Sequence, residues 1–342
     1  MLNTKIIFIM RILFSILSVL LCLYSCSGGN GIIEEPTIEK PTNPKEYIVS
    51  LGFSGEITNI EESPLSRAVT NDLYGIQVYS KPSSGGEYKP YAYGLFDDKA
   101  NMNIKLLEGY KYKFECTMAV NGKNRIKKIN NGYVTPFVLE NSSAYPSTML
   151  NFIYSTSIKY SQIQYGNTYL EQENKIFSRP NIDRYYGEYL DYVPTDGGSV
   201  SIKMKRVVFG AKFIAEGLID GQLDITIDDA PTISIISGTA YEVQEIFTFA
   251  NGNYNYKWTQ DDYYEIIPVS ILWKKTDGAI IPLVSQDITF KRNKLTTITV
   301  KVKDNSINND VDVSQENTPM GDGGNITIDT SNGTDTGVTP NS

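Results

Sequence analysis

Apolar and polar residues alternate along several segments of the chain, with the period of two that is typical of half-buried β-strands. The clearest such segment has one face formed by Tyr110, Tyr112, Phe114, Cys116, Met118 and Val120. Shorter segments of the same kind begin at Ile76, Val200, Leu223 and Ile298. No stretch shows the pattern of an amphipathic helix longer than about three turns. The alternation therefore predicts an all-β protein and places the lone thiol of Cys116 in its core.

Short turn-forming sequences separate these predicted strands. They are Asn121-Gly122, Asn130-Asn131-Gly132, Asp196-Gly197-Gly198, Asp220-Gly221, Asn251-Gly252 and Asp277-Gly278. Asn-Gly and Asp-Gly favour tight hairpin turns, and many short strands with regular turns are typical of a sandwich or a barrel. Residues 171–198 are rich in Tyr and charge and lack clean alternation, so they predict a connector. It would join an N-terminal β-sandwich domain over 47–170 to a C-terminal one over 199–303.

The two ends of the chain have a different composition from this body. Residues 1–25 carry Lys5 and Arg11 followed by a short apolar run, which is the pattern of an export signal peptide. Residues 26–46 are rich in Gly and Pro, which predicts a flexible tether. Residues 304–342 contain no aromatic, Lys or Arg and are predicted to be a disordered acidic tail.

Charge and residue types narrow the classes of function. The net charge is −8, which argues against a nucleic-acid partner because such proteins need a basic surface. The chain has no His, which excludes Ser-His-Asp catalysis, and its three Cys cannot supply a zinc site. Acidic residues such as Asp261, Asp262 and Glu265 could suggest a glycosidase, but they form no catalytic motif. The residues from Asp304 onward have the spacing of a calcium-binding loop but lack its required Gly and Glu. We therefore expect no enzyme activity, no metal and no cofactor.

The apolar run of the signal peptide ends in Leu23-Tyr24-Ser25-Cys26. This tetrapeptide resembles the lipobox of bacterial lipoproteins, in which the leader is cleaved before the Cys and the Cys receives the lipid. The resemblance makes Cys26 the lipidated first residue of the mature protein, with palmitate among its acyl chains. It implies a protein attached to the outer membrane by its lipid anchor, at the cell surface.

Three further segments resemble the fimbrillin-like lipoproteins of anaerobic Gram-negative bacteria. They are residues 66–79 around Arg67, residues 185–188 followed by 200–213, and residues 288–302. The resemblance covers most of 47–303 and implies two transthyretin-like β-sandwich domains. It also implies a role in adhesion or fimbria assembly.

Pilins of this family lose an N-terminal segment by cleavage after an Arg, and the resulting groove accepts a strand of the next subunit. Arg67 is the matching Arg of this chain and the candidate processing site; an ordinary exposed arginine is the alternative. The tail departs from the family, because only Ile326 and Ile328 could serve as apolar positions of a donor strand. This departure favours an anchor or accessory subunit that accepts a fimbrial partner's strand and donates none.

A carbohydrate-binding outer-membrane lipoprotein is the alternative function. Exposed aromatic rings stack on sugars, and the chain carries Tyr160, Tyr165, Tyr169, Tyr185, Tyr186, Tyr189, Tyr192, Trp258 and Trp273. Three coplanar exposed rings on one face would favour glycans as partners. Tyr in β-proteins more often packs with only its hydroxyl at the surface.

Overall fold

The regular structure of the chain is almost entirely β-sheet. The computed structural model describes residues 44–55, 71–98, 102–140, 150–250, 257–302 and 311–319. Its strands are β1 (Glu46–Gly55), β2 (Leu73–Pro82), β3 (Lys89–Phe96), β4 (Asn103–Leu107), β5 (Tyr110–Ala119), β6 (Lys128–Ile129), β7 (Gly132–Tyr133), β8 (Phe152–Ser155), β9 (Thr168–Leu170), β10 (Lys175–Phe177), β11 (Arg184–Tyr192), β12 (Ser199–Arg206), β13 (Val208–Glu216), β14 (Gln222–Ile227), β15 (Ile233–Ile236), β16 (Glu242–Thr248), β17 (Tyr264–Lys274), β18 (Ile280–Lys291), β19 (Lys294–Val302) and β20 (Val311–Pro319). A four-residue helix, α1 (Gly122–Arg125), and a 3-10 turn, Lys257–Thr259, complete the described elements. The all-β class predicted from the alternation is confirmed.

The first sheet has eight strands in the order β4-β1-β12-β11-β5-β2-β3-β8. Side chains from opposite parts of this order share one apolar core: Val49 of β1 and Ile202 of β12 pack in the same cluster as Ile76 of β2 and Phe114 of β5. The sheet therefore curls around this core. Cys116 lies in the same cluster, fully buried as predicted, and burial raises the pKa of its thiol.

A second apolar cluster covers the other face of β2, β3 and β5. Leu73, Leu95 and Ala119 project from the strands into it. Phe137 and Tyr160, from the segment between β7 and β9, close it from outside. The middle of the first sheet is consequently buried on both faces.

The second half of the chain forms a sandwich of two four-stranded sheets. Their orders are β16-β13-β19-β20 and β15-β14-β17-β18. Phe209 lies at the centre of the core between them, with its ring centroid 4.5–5.6 Å from those of Phe247, Phe249 and Phe290. This cluster also holds Trp273, which is 2% exposed.

The boundary between the two halves differs from the predicted one. β11 and β12 lie within the predicted connector and the start of the predicted second domain, yet both pair inside the first sheet. The second sandwich therefore begins at β13, at Val208, and not at residue 199. Alternation identifies a strand but not the sheet in which it pairs, since any half-buried strand shows the same period.

The predicted disordered tail also differs from the structure at one place. Residues 311–319 form β20, which pairs antiparallel with β19 from Val302↔Val311 to Lys294↔Pro319. The backbone of β19 would otherwise form the edge of its sheet, and an unpaired edge is a template for another strand. The rest of the predicted tail beyond residue 303 lies outside the described residues.

Two of the predicted turns are confirmed as hairpins. Asn130 and Asn131, with φ of 50° and 65°, connect β6 to β7, and Gly278, with φ of 89°, lies between β17 and β18. The predicted hairpin at Asn121-Gly122 is wrong, because Gly122 begins α1 and β5 does not pair with β6. Asn251-Gly252 lies outside the described residues.

Candidate functional site in the first sheet

β1 lies between β4 and β12, and its length is divided between these two neighbours. Residues 46–50 pair antiparallel with β4, and residues 50–55 pair parallel with β12. Only Ser50 has a register partner on both sides, Asn103 in β4 and Ser199 in β12. Among the described strands, β4 pairs with no other strand of this sheet, so its ladder hydrogen bonds join it to the sheet through β1.

The side chains of β1 follow the period of two that its sequence predicts. Val49 is 0% and Leu51 5% exposed, and both lie in the core of the first sheet. Tyr47 and Phe53, on the same face, pack against that core while half-buried. Ile48, on the opposite face, is 65% exposed. Burying a Val or Leu side chain contributes roughly 1.5–3 kcal/mol, so these two residues are the main apolar attachment of β1.

Polar side chains add little to this attachment. Lys45 Nζ lies 2.7 Å from Asp196 Oδ2, and this hydrogen-bonded ion pair raises the pKa of Lys45. Ser50 Oγ donates to Asn103 Oδ1 at 2.9 Å. Both contacts lie at the surface, where such pairs stabilise a fold only weakly. β1 is therefore held chiefly by backbone pairing and by its buried face.

The site that β1 occupies has the chemistry of a strand-binding groove. Its walls are the backbone edges of β4 and β12, and its floor is the core that receives Val49 and Leu51. Unpaired edges with pockets for alternate side chains bind extended peptides by strand addition.

The two predicted site residues, Cys26 and Arg67, lie outside the described residues. The chain order nevertheless fixes one relation between Arg67 and the groove. Residues 56–70 connect β1 to β2, so Arg67 follows β1 and precedes every other described strand. A cut after Arg67 would leave β1 covalently joined only to the N-terminal side of the chain.

Sequence reasoning missed a buried arginine beneath the adjoining strands. Arg184 of β11 is 0% exposed and donates to Thr117 Oγ1 at 2.9 Å. It also donates to the carbonyl oxygens of Ile163 at 2.9 Å, Tyr165 at 2.5 Å and Gly166 at 3.2 Å. Burial lowers the pKa of its guanidinium to about 9. The sequence does not predict the burial of Arg184, because an arginine beside two tyrosines is typical of the exposed face of a strand.

The guanidinium of Arg184 also links the two halves of the chain. Its central carbon lies 5.8 Å from the ring centroid of Trp258, which packs in the core of the second sandwich. Gly166 N, in the segment that Arg184 holds, donates to Ala250 O at 3.2 Å. The same side chain therefore fixes β11, the 163–166 segment and the junction with the second half.

The aromatic residues considered for glycan binding form no exposed platform. Trp258 and Trp273 lie in the core of the second sandwich, and Tyr160, Tyr185 and Tyr186 are buried as well. Tyr165, Tyr169 and Tyr192 are half-buried, and Tyr189 alone of the nine is exposed, at 40%. The three coplanar rings that would favour a sugar are absent from this set, all of which the structure describes.

Two features are absent from the described ranges. No group of three or more Cys, Asp or Glu side chains there is arranged to hold a metal ion. No helix in the same ranges is long and apolar enough to cross a membrane. The Asp and Asn residues with calcium-loop spacing, from Asp304, are not among the side chains that the structure describes.

Comparison with solved structures finds similar chains among bacterial fimbrial proteins. The chain is similar to the tip fimbrial protein Mfa3 from Porphyromonas gingivalis, at 9% identity and a TM-score of 0.35, over 80% of this chain and 100% of that one. It is similar to the fimbrial anchor protein Mfa2 from the same organism, at 10% identity and a TM-score of 0.37, over 84% and 99%. A fimbrial assembly protein from Parabacteroides distasonis matches at 9% identity and a TM-score of 0.33, over 80% and 96%.

Comparisons at the level of sequence find nothing. No protein-family model matches the chain, and no curated protein matches it. Similarity to solved structures at 9–10% sequence identity does not assign a function to this chain.

Proposed function

We propose that the chain is a cell-surface lipoprotein that acts in adhesion or fimbria assembly, as an anchor or accessory fimbrillin-like subunit. In this role its first sheet accepts an extended strand of a fimbrial partner in the groove that β1 fills. The observation that carries the proposal is the division of β1 between β4 and β12, with Val49 and Leu51 buried beneath it. The three structures named above are described as fimbrial tip, anchor and assembly proteins, which agrees with this role.

Attachment and processing complete the proposal. Cys26 carries the lipid and attaches the protein to the outer membrane, with residues 26–46 as the tether. Cleavage after Arg67 separates β1 from the body in sequence, so that a partner's strand can replace it. Replacement of β1 also releases the body from its lipid, so the uncut protein is the anchored form and the cut protein is an accessory subunit held by its partner. The buried aromatic residues give no support to a glycan partner, and the absence of His from the sequence gives none to a hydrolase.

Strand replacement can be tested directly on the mature protein. It is cut with an arginine-specific protease, and mass spectrometry verifies the cut after Arg67. A fluorescent peptide of residues 46–55 is then added in excess, and its incorporation is followed by anisotropy after gel filtration. We expect the cut protein to take up the peptide and the Arg67→Ala protein, treated in the same way, to exclude it.

A second peptide controls for non-specific binding. It carries Asp at the positions of Val49 and Leu51, which removes the buried face and keeps the length. Equal uptake of the two peptides, or no uptake after complete cleavage and loss of the native fragment, would overturn the strand-accepting role. Uptake by the uncut protein would show instead that processing is unnecessary.

A further inference from the structure

β16 forms the edge of one sheet of the second sandwich, and half of its backbone polar groups point away from that sheet. The phase is fixed by Thr248 N, which donates outward to Pro180 O at 2.9 Å. Residues two apart in a strand point their backbone groups to the same side. Gln244 and Ile246 therefore also point outward, and within the described ranges neither has a backbone partner on that side.

A cleft of about 270 Å³ runs along this part of β16. Its opposite wall belongs to the first half of the chain and includes Val120, Arg125 and Ile182. The segment that pairs with Thr248 does not follow the edge further, since its Asn181 and Asp183 line the far wall of the cleft. The cleft thus has a free strand edge on one side and a mixed apolar and basic surface on the other.

Arg125 is the cation of the cleft lining that could bind an acidic group. Arg125 Nη2 donates to Asn181 Oδ1 at 2.6 Å, and no other partner of its guanidinium lies among the described residues. Asp183 is neutralised by Arg206. Arg206 Nε donates to Asp183 Oδ1 at 2.8 Å, and Arg206 Nη2 donates to Asp183 Oδ2 at 2.8 Å. Glu245 on the β16 wall brings the formal charge of these groups to zero, so the cleft as a whole is neutral. An extended segment with apolar alternation and one carboxylate matches these walls.

The sequence of the chain contains such a segment after β20. Residues 325–329 read Asn-Ile-Thr-Ile-Asp, with Ile326 and Ile328 on one side and Asp329 at the end. They follow β20, which ends at Pro319 opposite Lys294. The next residue, Leu295, lies level with Gly210, which in turn lies level with Ile246 of β16.

The length of chain after β20 is sufficient to reach β16. A strand on the outer edge of β16 would lie four strand spacings from β20 in the sheet order, about 19 Å at ~4.8 Å each. Residues 320–325 span up to about 20 Å at ~3.3 Å per residue.

We propose that residues 325–329 dock on the edge of β16 in the same molecule, with Asp329 near Arg125. A segment with only two Ile would bind weakly from another molecule, but a covalent link gives it an effective concentration in the millimolar range. Docking would cover the free edge of β16, which otherwise invites pairing with other chains. This site is separate from the β1 groove. A negative result for one of the two proposals therefore leaves the other unaffected.

Hydrogen exchange measured by mass spectrometry tests this docking on the full mature protein. In the full chain we expect the outward amides of Gln244 and Ile246 to be protected. A chain ending at Pro319 should exchange them at least tenfold faster, and the Ile326→Asp, Ile328→Asp double variant should behave like the truncated chain. Val338→Asp, in the same tail, is the matched control and should leave the protection unchanged.

Two further measurements distinguish the tail of the same molecule from other segments that could occupy the β16 edge. A synthetic peptide of residues 324–331, added in trans at millimolar concentration, should restore protection in the truncated chain. Fast exchange of both amides in the full chain, or protection that survives truncation, would overturn the proposal. Protection that rises with protein concentration together with a dimer in light scattering would assign the edge to the tail of a second copy and also overturn docking within one molecule.

Discussion

Phe53 of β1 stacks on Tyr74 of β2, with ring centroids 5.4 Å apart and ring planes 12° apart. β1 and β2 are not neighbours in the sheet, so this contact crosses the core around which the first sheet curls. Tyr74 is 0% exposed, and Phe53 supplies part of its cover. Loss of β1 would therefore uncover a tyrosine that the intact protein buries completely.

The attachment of β1 should depend on its buried face and not on its exposed one. We expect Leu51→Ala to lower the free energy of unfolding by roughly 2–4 kcal/mol, because it removes a core side chain and leaves a cavity. Ile48→Ala, on the exposed face of the same strand, should change it by less than about 0.5 kcal/mol. Urea denaturation followed by circular dichroism measures both. Similar losses for the two variants would contradict the burial pattern of β1.

Removing the Arg184 side chain should be more costly. Arg184→Met leaves the carbonyls of Ile163, Tyr165 and Gly166 without their donor, and we expect a loss of about 3 kcal/mol or more in the free energy of unfolding. Lys89→Met, at an exposed position, removes a cation without breaking a buried network and should be nearly neutral. Thermal unfolding of the two variants provides the comparison. A neutral Arg184→Met would show that the buried guanidinium does not hold the 163–166 segment.

Membrane attachment should depend on Cys26 alone. We expect Cys26→Ala to move the protein from the membrane fraction to the soluble fraction, since a multi-acyl anchor supplies most of the binding free energy. Cys116→Ala is the matched control, because that thiol is buried and has no path to a lipid. Fractionation with immunoblotting distinguishes the two. A Cys26→Ala protein that stays with the membrane would refute the anchor.

Acid should weaken the contacts that the Asp97 carboxylate makes in the first half of the chain. Burial acts to raise the pKa of Asp97, but hydrogen bonds from Lys123 and Asn151, each at 2.6 Å, outweigh it and hold the pKa below its ordinary value. The stabilisation is therefore complete above the unfolded-state pKa of about 4 and is lost as the pH falls through the folded-state pKa.

The Asp97→Asn variant isolates this effect. We expect the stability difference between Asp97→Asn and the parent protein to be constant from pH 6 to about pH 5 and to shrink below about pH 4. Urea denaturation across this range measures it. A difference that stays constant down to pH 3 would mean that the Asp97 carboxylate contributes nothing through its charge.

Much of the fold could be predicted from the alternation of the sequence. The apolar phase from Tyr110 to Met118 matches β5, whose Tyr112, Phe114 and Cys116 are buried. The sheet membership of β11 and β12 could not be predicted, because a hairpin has the same alternation in either sheet. The pairing of β20 with β19 could not be predicted either, because backbone hydrogen bonds between strands do not require an apolar sequence.

The candidate site could be predicted only in part. The segment around Arg67 pointed to strand exchange near the start of the body, and β1 is the strand that precedes it. What the sequence could not show is the division of β1 between β4 and β12, because pairing partners distant in the chain leave no local pattern. The aromatic residues from Tyr160 to Trp273 suggested a surface, but burial depends on tertiary packing that their spacing does not reveal.

The two-sided pairing of β1 has a mechanical consequence. β1 begins at Glu46, so tension applied to the preceding residues in line with the strand would act along its axis. Such a pull loads the hydrogen bonds to β4 and to β12 in shear, and they must break together because none can open ahead of the others. A pull across the strand would instead unzip the bonds one at a time. The geometry of β1 therefore suits a connection that resists load up to a threshold and then fails as a unit.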